Sequence, residues 1–180
     1  MLSSAFFPLL AFALSVAAEQ IQSTNPAFSN AGIQGCIAAE TNADGSPLVI
    51  HNCNNEPLAD HDWQVSFFTK QNTSPQQIKV FGDKCIDVTN GVNADGTKLQ
   101  IWTCANQNTN QMWVSRTDGT FQWSGTDKCI DLTDGKITDG NVLQIWTCTN
   151  GDTNQGWKGE PNPDESQCVH TSFCLSFALT

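Results

Sequence analysis

The sequence predicts an all-β protein, a closed barrel of three four-stranded repeats related by pseudo-threefold symmetry. Three observations carry that reading. The first is repetition at an offset of 44 residues, from Cys85 to Cys129. Lys84-Cys85-Ile86-Asp87 returns as Lys128-Cys129-Ile130-Asp131, and Leu99-Gln100-Ile101-Trp102-Thr103-Cys104 returns as Leu143-Gln144-Ile145-Trp146-Thr147-Cys148. Thr109-Asn110-Gln111-Met112-Trp113 returns as Thr153-Asn154-Gln155-Gly156-Trp157. A worn copy lies upstream in Gly35-Cys36-Ile37-Ala38, Leu48-Val49-Ile50-His51-Asn52-Cys53 and Asp60-His61-Asp62-Trp63. A period in the forties marks one repeated supersecondary unit. The second observation is short-range alternation of apolar and polar residues, the pattern of half-buried strands. The third is an Asp-Gly pair between the first two strands of each copy (Asp44-Gly45, Asp95-Gly96 and Asp139-Gly140), where a tight turn needs positive φ.

In chain order, residues 1–18 read as a secretory signal peptide. An apolar run from Ala5 ends in Val16-Ala17-Ala18, small residues suited to cleavage before Glu19, although Lys and Arg are missing ahead of the run. The run is too short for a comfortable membrane span and Pro8 interrupts it, so neither an anchor nor membrane insertion is expected. Residues 19–25 form a leader and 26–159 the barrel, with repeats at about 26–68, 76–116 and 120–159. Each copy runs from the Cys strand through the second strand to a Trp strand and a fourth, such as Thr120-Phe121-Gln122-Trp123. No matching strand follows Trp157, so the segment around Phe28 is expected to supply the missing twelfth strand. Residues 160–180 are then a surplus tail. Its Cys168 and Cys174 are close enough to bridge each other, and too few for a zinc site.

Repetition favours one local disulfide per copy: Cys36–Cys53, Cys85–Cys104 and Cys129–Cys148. Eight cysteines fit an oxidising, extracellular compartment. With Cys85 set opposite Cys104 in a hairpin, Asp87 falls opposite Trp102. Alternation then puts Cys85, Asp87, Gln100, Trp102 and Cys104 on one face and Ile86, Val88, Leu99 and Ile101 on the other. The third copy repeats this, with Asp131 facing Trp146 and Ile130, Leu132, Leu143 and Ile145 behind. The first copy offers Ala38 and His51 instead. A Trp beside an Asp on an outer face suits a sugar, because the indole stacks on the C–H face of a pyranose while the carboxylate accepts from hydroxyls. Asn110 or Asn154 could add an amide from the third strand. Trp63, Trp113 and Trp157, repeated in all three copies, are expected in the core.

The Cys-Ile-Asp start, the Leu-Gln-Ile-Trp-Thr-Cys strand and the Gln-x-Trp closure resemble the repeats of ricin B-type lectins, which are β-trefoils. The resemblance covers roughly Pro26 to Gly159. It implies that the sugar is held by an Asp of the first strand, an aromatic residue of the second and an Asn near the Gln-x-Trp turn, supported by two Gln residues. One implied site is Asp87, Gln100, Trp102, Asn110 and Gln111; the other is Asp131, Gln144, Trp146, Asn154 and Gln155. The first copy departs at Ala38, Val49, His51, Asp60 and His61, and its site is expected to be silent. The implied ligand is a glycan of galactose or N-acetylgalactosamine type.

Other classes fit less well. A formal charge of -10 with no basic cluster disfavours nucleic acid. A glycosidase needs two carboxyl groups roughly 5–9.5 Å apart, whereas Asp87 and Asp131 sit in different repeats. His51, His61 and His170 form no metal-binding pair, and there is no nucleophile elbow, phosphate loop or dinucleotide fingerprint, so neither an enzyme nor a cofactor is expected. Little length remains outside the barrel for a catalytic domain. A trefoil-shaped protease inhibitor is one alternative, but it leaves the recurring sugar-face residues unexplained. A module for wall polysaccharide, resembling xylan-binding trefoils, is another. Asn72-Thr73-Ser74 is a glycosylation acceptor sequence, placed in a loop between strands of the first copy.

Overall fold

A computed structural model describes residues 19–53, 63 and 74–161. The expected signal peptide, Asp60, His61, the acceptor Asn72 and the Cys168–Cys174 pair lie outside the described residues. The strands are β1 (Glu19–Ser23), β2 (Gly35–Ala39), β3 (Leu48–Asn52), β4 (Lys79–Val80), β5 (Lys84–Val88) and β6 (Leu99–Thr103). They continue as β7 (Trp113–Ser115), β8 (Phe121–Trp123), β9 (Lys128–Asp131), β10 (Asn141–Val142), β11 (Gln144–Thr147) and β12 (Trp157–Pro161). One five-residue helix, α1, spans Pro26–Asn30. The hydrogen-bonded sheets run β10-β3-β2-β1-β12, β11-β9-β8-β7 and β4-β5-β6.

The Phe28 segment is not the closing strand. Pro26 sits in the first turn of α1, Asn25 caps it by accepting from the Ala27 amide at 2.9 Å, and Phe28 points into the core. Closure comes instead from the expected leader. β1 pairs antiparallel with β12 from Ser23↔Trp157 to Glu19↔Pro161, as β8 pairs with β7 at Trp113↔Trp123. β12 therefore runs through Glu160 and Pro161, past the expected end of the barrel. Ile21, the one apolar residue of Glu19–Ser23, is fully buried.

The three expected disulfides are present, Cys36–Cys53, Cys85–Cys104 and Cys129–Cys148, but the hairpin register differs by two residues. Cys85 faces Trp102 and Asp87 faces Gln100; Cys129 faces Trp146 and Asp131 faces Gln144. In the first copy Cys36 faces His51 and Ala38 faces Val49. The core explains this choice. The observed register sets Ile86 against Ile101 and Val88 against Leu99, whereas the expected one would set Ile86 against Thr103. A slip of two leaves every side chain on its face, so the assigned faces stand and the disulfides reach diagonally.

The core is threefold. Trp63, Trp113 and Trp157 are buried, and their indole N–H groups donate to the carbonyls of Ile37, Ile86 and Ile130 at 2.7, 3.1 and 3.1 Å. The Asp-Gly turns also lock each repeat to the next. Gly45 N donates to Ile101 O, Gly96 N to Ile145 O and Gly140 N to Ile50 O. Asp44 accepts from the Thr103 amide and meets Lys84 Nζ at 3.1 Å, and Asp95 does the same with Thr147 and with Lys128 at 2.8 Å. At the third junction Asp139 accepts from the Asn52 amide at 2.7 Å and lies 3.9 Å from His51.

Candidate functional site

Two shallow depressions lie at equivalent places in repeats 2 and 3. The first, of about 210 Å³, is lined by Asp87, Asn90, Gln100, Trp102, Asn108 and Asn110. The second, of about 180 Å³, is lined by Asp131, Asp134, Gln144, Trp146, Asp152 and Asn154. Trp102 and Trp146 are 44% and 43% exposed, unusual for so large an apolar ring. Each rests near the Asp-Gly turn of the preceding repeat, so one repeat props the platform of the next.

The aspartates are the opposite case, nearly buried and fully directed. Gln100 Nε2 donates to Asp87 Oδ1 at 3.1 Å and Gln111 Nε2 to Oδ2 at 3.1 Å. Gln144 Nε2 and Gln155 Nε2 serve Asp131 at 3.0 and 3.1 Å. Burial pushes both carboxyls above the ordinary aspartate range, against these hydrogen bonds, which stabilise the ionised form. Gln111 and Gln155 are completely buried and do not line the depressions. They hold the aspartate and tie down the turn, since their Oε1 atoms accept from the Ala105 and Thr149 amides at 3.0 and 2.9 Å. The structure thus brings both expected residue sets together, with the two buried glutamines behind the surface.

Four lining residues were not singled out in the sequence. Asn90 and Asp134 hold φ of 55°, a left-handed conformation that Asn and Asp tolerate. Gly91 and Gly135 follow; a Cβ at Gly91 would lie 2.7 Å from Asn110 Oδ1. Asn108 and Asp152 accept from the amides of Asn110 and Asn154 at 3.1 and 2.9 Å, fixing the turns Thr109–Gln111 and Thr153–Gln155. Asn90 and Asn108 stand where repeat 3 has Asp134 and Asp152, so identity at the 44-residue offset does not mark them.

Two further groups reach only the repeat 3 site. Lys98 Nζ, from the hairpin of repeat 2, donates to Gln144 Oε1 at 3.2 Å and Thr133 Oγ1 at 2.8 Å, where the repeat 2 site has Pro47 of repeat 1. Asn25 Nδ2 donates to Asn154 Oδ1 at 2.9 Å, where the pairing of β8 places Gly125. In repeat 1, buried Ala38 and Val49 replace the Asp and Gln. Among the described residues no group of three metal-binding side chains comes together, and no helix is long and apolar enough to cross a membrane.

Residues 74–179 match the model of the ricin-type β-trefoil lectin domain. The match covers more than half of the chain, and the chain belongs to this family, whose domain binds carbohydrate and is not itself catalytic. Among curated proteins it is similar to β-galactoside-specific lectin 2 of Viscum album, 35% identical over 57 residues, 30% of this chain and 10% of that protein. It is also similar to the ribosome-inactivating protein SNAIf of Sambucus nigra, 46% identical over 50 residues, 28% of this chain and 9% of that protein. The aligned segments thus span about a tenth of these relatives. Among solved structures, the designed threefold-symmetric protein ThreeFoil superposes with a TM-score of 0.61 at 17% identity, covering 78% of this chain and 96% of that one. The C-half of an earthworm R-type lectin in complex with GalNAc gives 0.60 at 17%, covering 81% and 98%. At such identity these two support the β-trefoil fold alone.

Proposed function

We propose that this lectin is secreted and holds galactose-type sugars, galactose or N-acetylgalactosamine, at two shallow sites in repeats 2 and 3, with repeat 1 blank. The observation that carries the reading is the pairing, twice, of an exposed indole with a buried aspartate whose two oxygens are already oriented. The indole stacks against the apolar face of the ring. Asp87 or Asp131 accepts from neighbouring hydroxyls, and Asn110 or Asn154 supplies a group that both donates and accepts. Orientation by Gln100 and Gln111, or by Gln144 and Gln155, is complete before the sugar arrives, which lowers the ordering cost of binding. The three disulfides and the apolar segment ending at Ala18 support export. The galactose-related names of the mistletoe and earthworm relatives are consistent with the sugar class.

One ring and a few polar groups support weak binding of a monosaccharide, around 1 mM or about -4 kcal/mol. Retention on a glycan surface then comes from simultaneous use of both sites. Titrating the protein with free galactose while following the indole resonances of Trp102 and Trp146 tests this, with a glycan array to define the sugar. Two saturable responses are expected. No response at either indole to any arrayed sugar class would overturn the reading.

A further inference from the structure

A third depression, of about 320 Å³, is lined by Gln76, Gln77, Lys79, Asn106, Gln107 and Met112. It backs onto the repeat 2 site: one loop turns Asn108 and Asn110 to that site and Asn106, Gln107 and Met112 to this depression. Repeat 3 keeps only one residue of this lining, Asn150 in place of Asn106. Pairing and offset set Gly119, Thr120, Gln122, Gly151 and Gly156 in place of Gln76, Gln77, Lys79, Gln107 and Met112. The wall is therefore a departure from the repeat, not an inheritance of it.

Two features point to a ligand. Gln107 holds φ of 64° where its repeat 3 counterpart is Gly151 at 80°. A side chain in this conformation costs about 1 kcal/mol, and strain retained in that way marks sites of use. The second feature is charge. In a chain of net charge -10, no carboxylate among the described residues lines this depression, whereas the other two contain Asp87 or Asp131, Asp134 and Asp152. Lys79 stands on its rim as the one basic side chain among the described residues with neither an ion pair nor a hydrogen bond from its ammonium. Lys84, Lys98, Lys128, Lys136, Lys158 and Arg116 all have partners. Gln77 is anchored, donating to Ala105 O at 2.9 Å and to Gln111 Oε1 at 3.1 Å, so the wall is continuous with the frame that holds Asp87.

We propose that this depression is a separate binding site for a sugar that carries a carboxylate, of the hexuronate class. Amides of Asn106, Gln107 and Gln76 meet hydroxyls as donors or acceptors. The Met112 thioether gives the ring an adaptable apolar contact, and the Lys79 ammonium supplies the charge-assisted bond that selects the anion. The site is distinct from the two proposed for neutral sugars and stands or falls without them.

The test is a titration of the full chain at neutral pH and low salt with sodium glucuronate and, separately, with glucose, which lacks the carboxylate. The resonances followed are the Met112 methyl and the side-chain amides of Asn106 and Gln107. Saturable shifts are expected with glucuronate and, for a charge-assisted bond, about five-fold weaker binding of glucose. Lys79→Met should remove that preference. Gln107→Gly, which copies Gly151 and relieves strain instead of adding it, should weaken glucuronate binding about three-fold, the scale of one hydrogen bond. Unsaturable shifts, equal binding of the two sugars or an unchanged response in both variants would overturn the proposal. Loss of the galactose response at Trp102 and Trp146 would instead count against the neutral-sugar sites.

Discussion

The depressions of repeats 2 and 3 share a frame and differ in the charge and support around it. Both set an exposed Trp and a buried Asp on a hairpin face with an Asn from the turn before the third strand, and both hold the Asp between two Gln amides. Around that frame the repeat 2 site has Asn90, Asn108 and, from repeat 1, Pro47, all uncharged, while the repeat 3 site has Asp134, Asp152 and, from repeat 2, Lys98. Repeat 3 also leans on the N-terminal segment through Asn25, and repeat 2 does not. Duplication thus preserved the groups that would touch a ring and left the surroundings free to change charge and support. The two sites should accept the same sugar and respond differently to chain truncation, acid and neighbouring mutations.

Truncation is the largest expected effect. Removing Glu19–Ser23 strips β12 of its partner and exposes a sheet edge, an invitation to aggregation. It also buries less apolar surface, since Ile21 is lost from the core. The truncated protein should melt far lower or aggregate, and any folded fraction should lose the Trp146 response before that of Trp102. Equal loss at both indoles would show that the N-terminus supports the barrel as a whole without favouring repeat 3.

Single-site removal comes next. Asp87→Ala or Trp102→Ala should leave one galactose response, at Trp146, and Asp131→Ala or Trp146→Ala should leave the other. Asp87→Ala combined with Asp131→Ala should leave none, with retention on a galactose matrix lost, while His51→Ala changes little. By contrast Trp113→Ala, in the core, should destabilise by about 3–5 kcal/mol. Retention by the double aspartate variant equal to that of the unaltered protein would remove the assigned face.

The unequal legibility of these parts has physical causes. The face residues were readable because strand alternation has period 2 and repeats twice. The register was not, because a shift of two residues leaves that alternation unchanged, and only the pairing of Ile86 with Ile101 decides it. The segment around Phe28 reads as the closing strand because no strand follows Trp157 in the sequence and Phe28 stands as far before Cys36 as Phe121 does before Cys129, whereas Pro26 after Asn25 reads as a helix start only once the cap is considered. Lys98 and Asn25 were hidden for a different reason. Their roles are contacts between segments distant in sequence, and no local pattern announces those.

Acid should separate binding from folding. Burial raises Asp87 and Asp131 above the ordinary aspartate range, so the folded state takes up a proton more readily than the unfolded one. As pH falls toward those values their protonation adds stability, while it converts an acceptor of sugar hydroxyls into a donor. Asp95 runs the other way: the Lys128 hydrogen bond, opposed by burial and helped by Thr147, holds it low. Its stabilising contribution is present above the unfolded aspartate pKa and disappears only as pH falls through its lower, folded value. Galactose retention should therefore fall while the circular dichroism spectrum is still native. Simultaneous loss of both would contradict the assignment of Asp87 and Asp131.

Lys98 should sharpen the contrast at alkaline pH. Burial holds its ammonium below the ordinary lysine range, against the attraction of Asp134 and Asp131. Deprotonation weakens the hold on Gln144 and leaves the carboxylates of repeat 3 less compensated, so that site should weaken at high pH while repeat 2, with Pro47, does not. Lys98→Met should weaken galactose binding at Trp146 by about three- to ten-fold, less than the full worth of a charged hydrogen bond because Lys98 acts through Gln144. Lys98→Arg should restore most of it, and the alkaline decline should be absent from the Met variant. An unchanged Trp146 response would make Lys98 a surface charge with no part in the site.

The smallest effect concerns Asn25, and it asks whether support from the N-terminus matters once the barrel is closed. Asn25 has two roles: its Oδ1 caps α1 at the Ala27 amide, and its Nδ2 donates to Asn154 Oδ1. Asn25→Asp keeps the cap, since Asp serves as well there, but sets a carboxylate against the Asn154 carbonyl oxygen and forces the Asn154 amide to turn. Asn25→Ser also keeps a cap and only withdraws the donor. If orientation of Asn154 matters, Asn25→Ser should weaken binding at Trp146 about two- to three-fold, within the net value of one neutral hydrogen bond, and Asn25→Asp should do so more. Both should leave Trp102 as it was, because Gly125 occupies the equivalent place in repeat 2 and makes no such contact. Thermal melts of the two variants should agree within the small difference between caps, so a loss confined to Trp146 reads as orientation and not as unfolding. Equal weakening at both indoles, or none at either, would reduce Asn25 to a helix cap and leave charge as the difference between the two sites.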